Sequence, residues 1–523
     1  MQSEFIRVFF TGVIVLIGLP GATQGGVIQR PVTEAARTSR NPAVATVNDF
    51  AVALCQQMAK ETPDRNVFFS PYSLACALAM AAEGARGNTA DEMGKVLRFP
   101  AEARRAGGDA ANTPWNTALI HQGMAELRKR FGNAKKPVPK EVSDRITTLS
   151  AALDAKNRRA ATAKNYYVAE FFQAQAQQTA QELNALYRTL DNHELRIANG
   201  LWAEKTFSLK KPFLDALNAC YGIGAVASMD FAGQPDASRQ KLNAWCAEQT
   251  QGRIKEPLPP GAITDQTRLV LASGIYFRGE WLNHFVAELT KDDDFLYGGS
   301  KIRTPMMHHD EPVVVGYAAF EEDGSQFATP REVARGEQDK SKLYPGTKGF
   351  VAVELAYRGG QLSMVILLPR SATGLGDLEK KLSADEIRGW LGTLEQRQVT
   401  IVLPKFTLTS NYDMTRILKS LGMKESFDNA RADFSGISDQ RPLFLSQVLH
   451  QASLEVNEKG TVAAAVTFGP APAGLPETVP FIPTFRANHP FLFFIRDRAT
   501  GTLLFLGRLM NPKDQAVQIG VDR

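Results

Sequence analysis

Strand-like runs recur along this chain without regular helical partners. They cover Glu194 to Trp202, Arg268 to Phe277, Phe350 to Ala356, Leu362 to Leu368, Val399 to Pro404, Phe491 to Arg496 and Thr502 to Leu509. Helical stretches lie between several of them, but strands and helices do not alternate, so the pattern predicts a mixed α+β fold with large, partly antiparallel sheets. With 523 residues, 44% of them hydrophobic and 22% charged, the chain has enough material for a large core. There is no internal repeat, and we read one elaborated domain rather than the two or three that length alone suggests.

Apolar spacing predicts a helix over Val47 to Lys60, followed by a short apolar segment, Asp64 to Ser70, bounded by Pro63 and Pro71. Ser70 then has the character of a helix cap, Pro71 that of a first helical residue, and Leu74, Leu78 and Ala81 continue one face. The stretch 101–192 is rich in Ala, Gln, Asn and charge, with helical patterns at Asp144 to Ala155 and Ala169 to Leu190, and reads as a large surface insertion. A second insertion, 321–346, is polar and shows no convincing element.

At the start of the chain, Arg7 precedes an apolar run from Val8 to Leu19, and Pro20, Gly21 and Ala22 follow. The run is short for a bilayer span and small residues come next, so residues 1–25 are expected to be a signal peptide and the protein to be secreted; an uncleaved anchor is the alternative. Residues 26–45 then form a linker, 46–513 the domain and 514–523 a tail. Cys55, Cys76, Cys220 and Cys246 have no CxxC spacing and lie in helix-like sequence, which favours buried free thiols over a metal site, with one disulfide as the alternative.

Charge is concentrated. Between Arg128 and Lys164 there are eleven basic residues against three acidic ones. A solvated surface is the ordinary outcome of such a run, and a polyanion site centred on Arg128, Lys129, Arg130, Lys135 and Lys136 is the functional alternative. The run lacks the interleaved aromatics of a single-stranded nucleic-acid platform, so no nucleic-acid partner is expected. Catalytic signatures are missing as well: there is no GxSxG, HExxH, GxxxxGKS/T or strand-coupled GxGxxG. His308 and His309, being adjacent, read as surface or packing residues. No enzyme activity and no cofactor are expected.

Asn66 to Leu97, NVFFSPYSLACALAMAAEGARGNTADEMGKVL, closely resembles the opening signature of the serpin family. The match resumes with ELRIANGLWAEKTF from Glu194, NAWCAEQTQGRIKEPLPPG from Asn243, TRLVLASGIYFRGEW from Thr267, PMMH from Pro305 and LSMVILLP from Leu362. It closes with LPKFTL from Leu403, LGMKESFDNARADFSGIS from Leu421, VLHQASLEVNEKGT from Val448 and RANHPFLFFIRDRATGTLLFLGRLMNP from Arg486. The resemblance implies three β-sheets with about nine helices and an exposed reactive-centre loop between Glu458 and Phe485. It further implies a monomeric suicide-substrate inhibitor that traps a serine protease as a covalent acyl-enzyme once its loop is cut and inserted into a sheet. A binding or carrier protein on the same fold, cut without trapping, and an inhibitor of papain-like cysteine proteases are the alternatives. In that frame the loop hinge is Glu458, Lys459, Gly460, Thr461, Val462, Ala463, Ala464 and Ala465. Ser70, Ser73, Ser273 and His450 then fall where the sheet must part, with Ser273 at a position where the family usually has asparagine, a change that loosens the hydrogen bonding there.

The loop can be tested residue by residue for its fitness to become a strand. Side chains alternate with period two, and Thr461, Ala463, Ala465, Thr467, Gly469, Ala471 and Ala473, all small, share one parity. The other parity, Val462, Ala464, Val466, Phe468, Pro470, Pro472 and Gly474, holds every bulky member. Pro470 and Pro472 lack N–H donors and weaken the last part of such a strand. Counting from the hinge places the scissile bond at Gly474–Leu475; counting back from Pro490 places it about two residues later, because the distal arm is longer than in typical members. No Lys or Arg lies between Lys459 and Arg486, so the bait suits an elastase-like rather than a trypsin-like pocket.

Overall fold

The computed structural model describes residues 41–107, 112–131, 139–163, 165–189, 193–222, 224–249, 252, 256, 258–334, 336–337, 339–458 and 478–519. The leader, the loop from 459 to 477 with Gly474, Leu475 and seven of the eight hinge residues, and Lys135 and Lys136 lie outside them. The first helix runs Pro42–Glu61, capped by the Asn41 side chain, which accepts from the Ala43 N–H at 2.9 Å. It therefore takes in residues 42–45, which the sequence assigned to the linker. Val47, Phe50, Ala51, Leu54 and Met58 form its buried stripe. Strand Val67–Phe69 follows, and then helix Pro71–Gly84, where Ser70 caps by accepting from Ser73 N–H at 3.1 Å. Almost every residue of this second helix is buried, as befits a helix that is apolar or small all round and passes through the centre of a core.

The strands form three sheets, of eleven, six and two strands, and the two larger ones pack against this helix. In the six-stranded sheet the order is Ala516–Ile519, Phe406–Asp413, Leu445–Val456, Leu269–Arg278, Glu194–Glu204 and Val226–Met229. The segment 514–519 is thus no free tail, because its strand pairs in parallel with Phe406–Asp413. The large sheet contains Val67–Phe69, Leu503–Leu509, Phe491–Asp497, Leu362–Pro369 and Phe350–Ala356 as consecutive antiparallel neighbours. Its strands Phe350–Ala356, Leu362–Pro369 and Leu503–Leu509 are buried on both faces and read in sequence as continuous apolar runs rather than alternating ones.

Twelve α-helices occur among the described residues, against the nine expected. The three additional ones belong to the two insertions: Lys140–Thr162, Tyr166–Thr189 and Lys340–Leu343. The first insertion is shorter than 101–192. Helix Thr117–Phe131 buries Ile120, Met124, Leu127 and Phe131 in the main core, so it belongs to the body, and the insertion proper is the helix pair Lys140–Thr162 and Tyr166–Thr189. Its own small core, Leu149, Leu153, Ala176, Leu183 and Tyr187, is separate from the main one and reaches Leu282. The second insertion has more structure than its polar sequence suggests, with short strands Gln326–Phe327 and Glu332–Ala334 besides its helix. Gln326–Phe327 folds back on Ala319 and Phe320, but the partner of Glu332–Ala334 comes from far along the chain, which local pattern cannot reveal.

Candidate functional site

The middle of the six-stranded sheet carries a buried cluster of hydrogen-bonded polar side chains. Strands Leu269–Arg278 and Leu445–Val456 run parallel there, in register from Leu269↔Leu445 to Phe277↔Leu454 with one irregularity after Leu445. No strand lies between them. Ser273 stands opposite His450 on one side and opposite Asn199 of strand Glu194–Glu204 on the other. Ser70 and Ser73, at the start of the central helix, meet this row from below, and all of Ser70, Ser73, Ser273 and His450 are buried.

Their hydrogen bonds have one consistent direction. Ser70 N–H donates to His450 Nε2 at 2.9 Å. A backbone N–H can only donate, so Nε2 is bare and the neutral ring carries its proton on Nδ1. That Nδ1–H faces Ser273 Oγ at 3.2 Å, the Ser273 hydroxyl donates to Ser73 Oγ at 2.8 Å, and the Ser73 hydroxyl donates to Asn199 Oδ1 at 2.7 Å. Protonating His450 would set an N–H against the Ser70 N–H. Burial holds its pKa down at about 3.

Serine in place of the usual asparagine does not open this relay. The amide is supplied by Asn199 on the next strand, one register position across. Asn199 was missed in the sequence, yet there was a signal: it sits two residues before fully buried Leu201, hence on the same face, and a polar residue facing a core must find a partner.

Where strand Leu445–Val456 ends, three contacts fix the last described residues before the loop. Trp281 Nε1–H donates to the Asn457 carbonyl at 2.9 Å, and its ring stacks on Tyr357 with centroids 4.5 Å apart. Glu458 pairs with Lys405 at 3.0 Å. Partial burial works against its charge, but hydrogen bonds from its own backbone and from Lys405 outweigh that and hold its carboxyl below the ordinary range. Beyond the loop, strand Thr484–Arg486 lies parallel to Glu395–Pro404. The loop is therefore tied at both ends to different sheets. The geometry permits strand addition between the two parallel strands; among the described residues no group of three or more His, Cys, Asp and Glu is placed to hold a metal.

Comparison with known proteins decides what this arrangement belongs to. The profile of the family described as Serpin (serine protease inhibitor) matches residues 45–184 and 172–512. The chain belongs to the serpin family. It is 33% identical to human Serpin B3 over 88% of this chain and 97% of that one, and 32% identical to the leukocyte elastase inhibitor of Xenopus tropicalis over the same shares. Among solved structures it superposes on uncleaved ovalbumin and on maspin, each with a TM-score of 0.64 at 22% identity over 90% of this chain and 100% and 99% of theirs.

In this serpin the basic run is only partly a free surface. Arg130 forms a two-pronged pair with fully buried Asp497, at 2.9 and 2.8 Å, and so is a structural residue rather than an open anion ligand. Arg128 and Lys129 remain exposed at the end of their helix. All four cysteines are free thiols; burial raises Cys55, Cys76 and Cys246 to about 12. His309 is a packing residue, stacked on Phe285 at 4.2 Å, while His308 ends strand Ser300–His308 half-buried. Among the described residues no helix is long and apolar enough to cross a membrane.

Proposed function

We propose that this serpin is a single-use covalent inhibitor of an extracellular, elastase-like serine protease, exported by residues 1–25 and working as a monomer. The observation that carries the reading is the parallel pair Leu269–Arg278 and Leu445–Val456 with nothing between them. A loop that leaves the end of the second strand and folds back would run antiparallel to both. One parallel ladder would be exchanged for two antiparallel ones, which are at least as stable per residue. Thr461 to Gly474 would span about 46 Å as a strand, enough to carry an acylated protease across the sheet. The small-residue parity of the loop suits burial under the helices, and Ala473, Gly474 and Leu475 suit a pocket for small apolar side chains. The likeness to a leukocyte elastase inhibitor supports that target class.

The deciding experiment is incubation with a pancreatic-type elastase, followed by denaturing gel electrophoresis and intact mass spectrometry. A complex that survives denaturation, with a released peptide beginning at Leu475, is the expected result. Clean cleavage by elastase-, chymotrypsin- and subtilisin-like enzymes with no covalent complex would replace the inhibitor reading by the carrier or binding one, which Pro470 and Pro472 favour. A sulfated polysaccharide is the second partner we propose, held by Arg128 and Lys129 with the exposed Arg158 and Arg159 of the inserted hairpin.

A further inference from the structure

Two stretches that set this chain apart from the family pattern, the second insertion and the lengthened distal arm of the loop, meet each other. Thr478–Pro480 pairs antiparallel with Glu332–Ala334 in the register Thr478↔Ala334, Val479↔Val333, Pro480↔Glu332. The Thr478 hydroxyl donates to Glu332 Oε2 at 3.0 Å, and the Phe481 N–H donates to the Arg331 carbonyl at 2.8 Å. Tyr344 of the insertion sets its ring edge-on to Phe481, centroids 5.7 Å apart.

Beneath the ribbon lies Arg397, on strand Glu395–Pro404. Its Nη2 donates to the carbonyls of Pro330, at 2.7 Å, and Phe481, at 3.3 Å, while Nη1 donates to that of Thr329, at 3.3 Å. One guanidinium thereby joins insertion and distal arm, a task that needs its planar fork. Beside it Arg331 pairs with Glu395 at 2.7 Å. A two-stranded ribbon is marginal by itself, so these contacts are what hold it. It is not there to fill the core: Glu332, Ala334, Thr478 and Pro480 are all exposed, and among the described residues neither strand has a third neighbour.

Position then decides what the ribbon must meet. Thr478 lies three residues beyond Leu475, at most about 11 Å of extended chain. A protease seated on the Gly474–Leu475 bond is far larger than that. We infer that the ribbon is a second recognition surface for the target protease, touching the rim of its cleft on the leaving-group side, with Arg397 as the positioning residue that holds it there. An open strand edge and the carboxylate of Glu332 are what it offers. This rests on the inhibitor reading above.

The test compares the wild type with Arg397→Ala, Arg397→Lys and Arg397→Ala carrying the added pair Val333→Cys and Val479→Cys. These last two positions are direct partners in the antiparallel ribbon, and such partners have Cα atoms about 4.5–5.5 Å apart, the spacing a disulfide accepts. Both Arg397 variants should form the covalent elastase complex about tenfold more slowly, with unchanged inhibitor consumed per enzyme and unchanged melting temperature. The oxidised cysteine pair should restore the rate. Equal rates for wild type and Arg397→Ala, or a slow rate that the disulfide fails to rescue, overturn the proposal. If the wild type itself forms no covalent complex, the inhibitor reading has failed; the ribbon is then judged by kcat/KM for loop cleavage by the same elastase, and an unchanged value in Arg397→Ala overturns it.

Discussion

Ser273 and His450 face each other across the parallel pair at the centre of the six-stranded sheet, with Oγ and Nδ1 3.2 Å apart. Each belongs to a different one of the two strands between which a new strand would have to pass. This contact is therefore both part of the core's polar relay and a latch on the sheet, and breaking it is a step of any opening.

Ser273→Ala removes the middle of the relay and leaves the buried Ser73 hydroxyl and His450 Nδ1–H short of a partner. The expected loss is roughly 1–3 kcal/mol of unfolding stability, read from urea denaturation. With the latch gone, a synthetic peptide of the sequence 461–474 should be taken up faster, as seen by native gel shift; an unchanged uptake rate would show that Ser273 does not restrain the sheet.

Acid should weaken the folded state through His450. The unfolded chain takes up a proton at the ordinary histidine pKa of about 6.5 while the folded chain resists until about 3, so the unfolded state binds more protons in between. Stability is complete above about 6.5 and falls as pH drops, by roughly 2 kcal/mol from this residue at pH 5. Buried His284 and half-buried His309, held at about 3 and about 4 by desolvation, add to the same slope. Denaturation curves at a series of pH values should show the slope reduced by about one proton in His450→Gln, and an unreduced slope would remove His450 from this role.

Cutting the loop should stabilise the protein. On the order of ten added backbone hydrogen bonds at about 1 kcal/mol each give a melting rise of about 10 °C or more for a chain of this size. Calorimetry before and after cleavage reads it directly, and an unchanged melting temperature would mean that the strand does not insert.

Thiol reactivity should single out Cys220. It is half-buried, with its pKa raised by burial and by Glu83, whereas the other three are buried with pKa near 12. An aromatic disulfide reagent should therefore modify one cysteine slowly in the native protein and four after denaturation.

Arg130 and Lys129, adjacent in sequence, should behave oppositely. Arg130→Ala leaves the Asp497 carboxylate buried with only its Thr500 hydrogen bonds, and should cost about 3 kcal/mol of stability. Lys129→Ala should leave stability unchanged and lower the salt concentration at which the protein elutes from immobilised heparin. Elution that shifts only with Arg130→Ala would refute the polysaccharide assignment.

Most strand runs were legible because continuous apolar stretches such as Leu362 to Leu368 lie in sheets covered on both faces, and burial is written in composition. Ser70 and Pro71 announced the central helix because a cap and a first-turn proline act over four residues. The insertion 321–346 was illegible because its strand Glu332–Ala334 exists only by pairing with Thr478–Pro480. The extent of the first insertion was misread for a related reason: the charged helix Thr117–Phe131 turns a narrow apolar stripe to a core that only the folded chain supplies.

By itself the sequence determined the fold class and the family and singled out Ser70, Ser73, Ser273 and His450, which the fold brings together, since each follows from residue type, spacing or order along the chain. Tertiary structure decided which polar side chains complete one another. It brought Asn199 to the place of the missing asparagine, committed Arg130 to Asp497 and joined insertion to distal arm through Arg397. Such partners lie on strands and helices far apart in the chain, and a hydrogen bond is decided by position in space to within a fraction of an ångström, which no local pattern records.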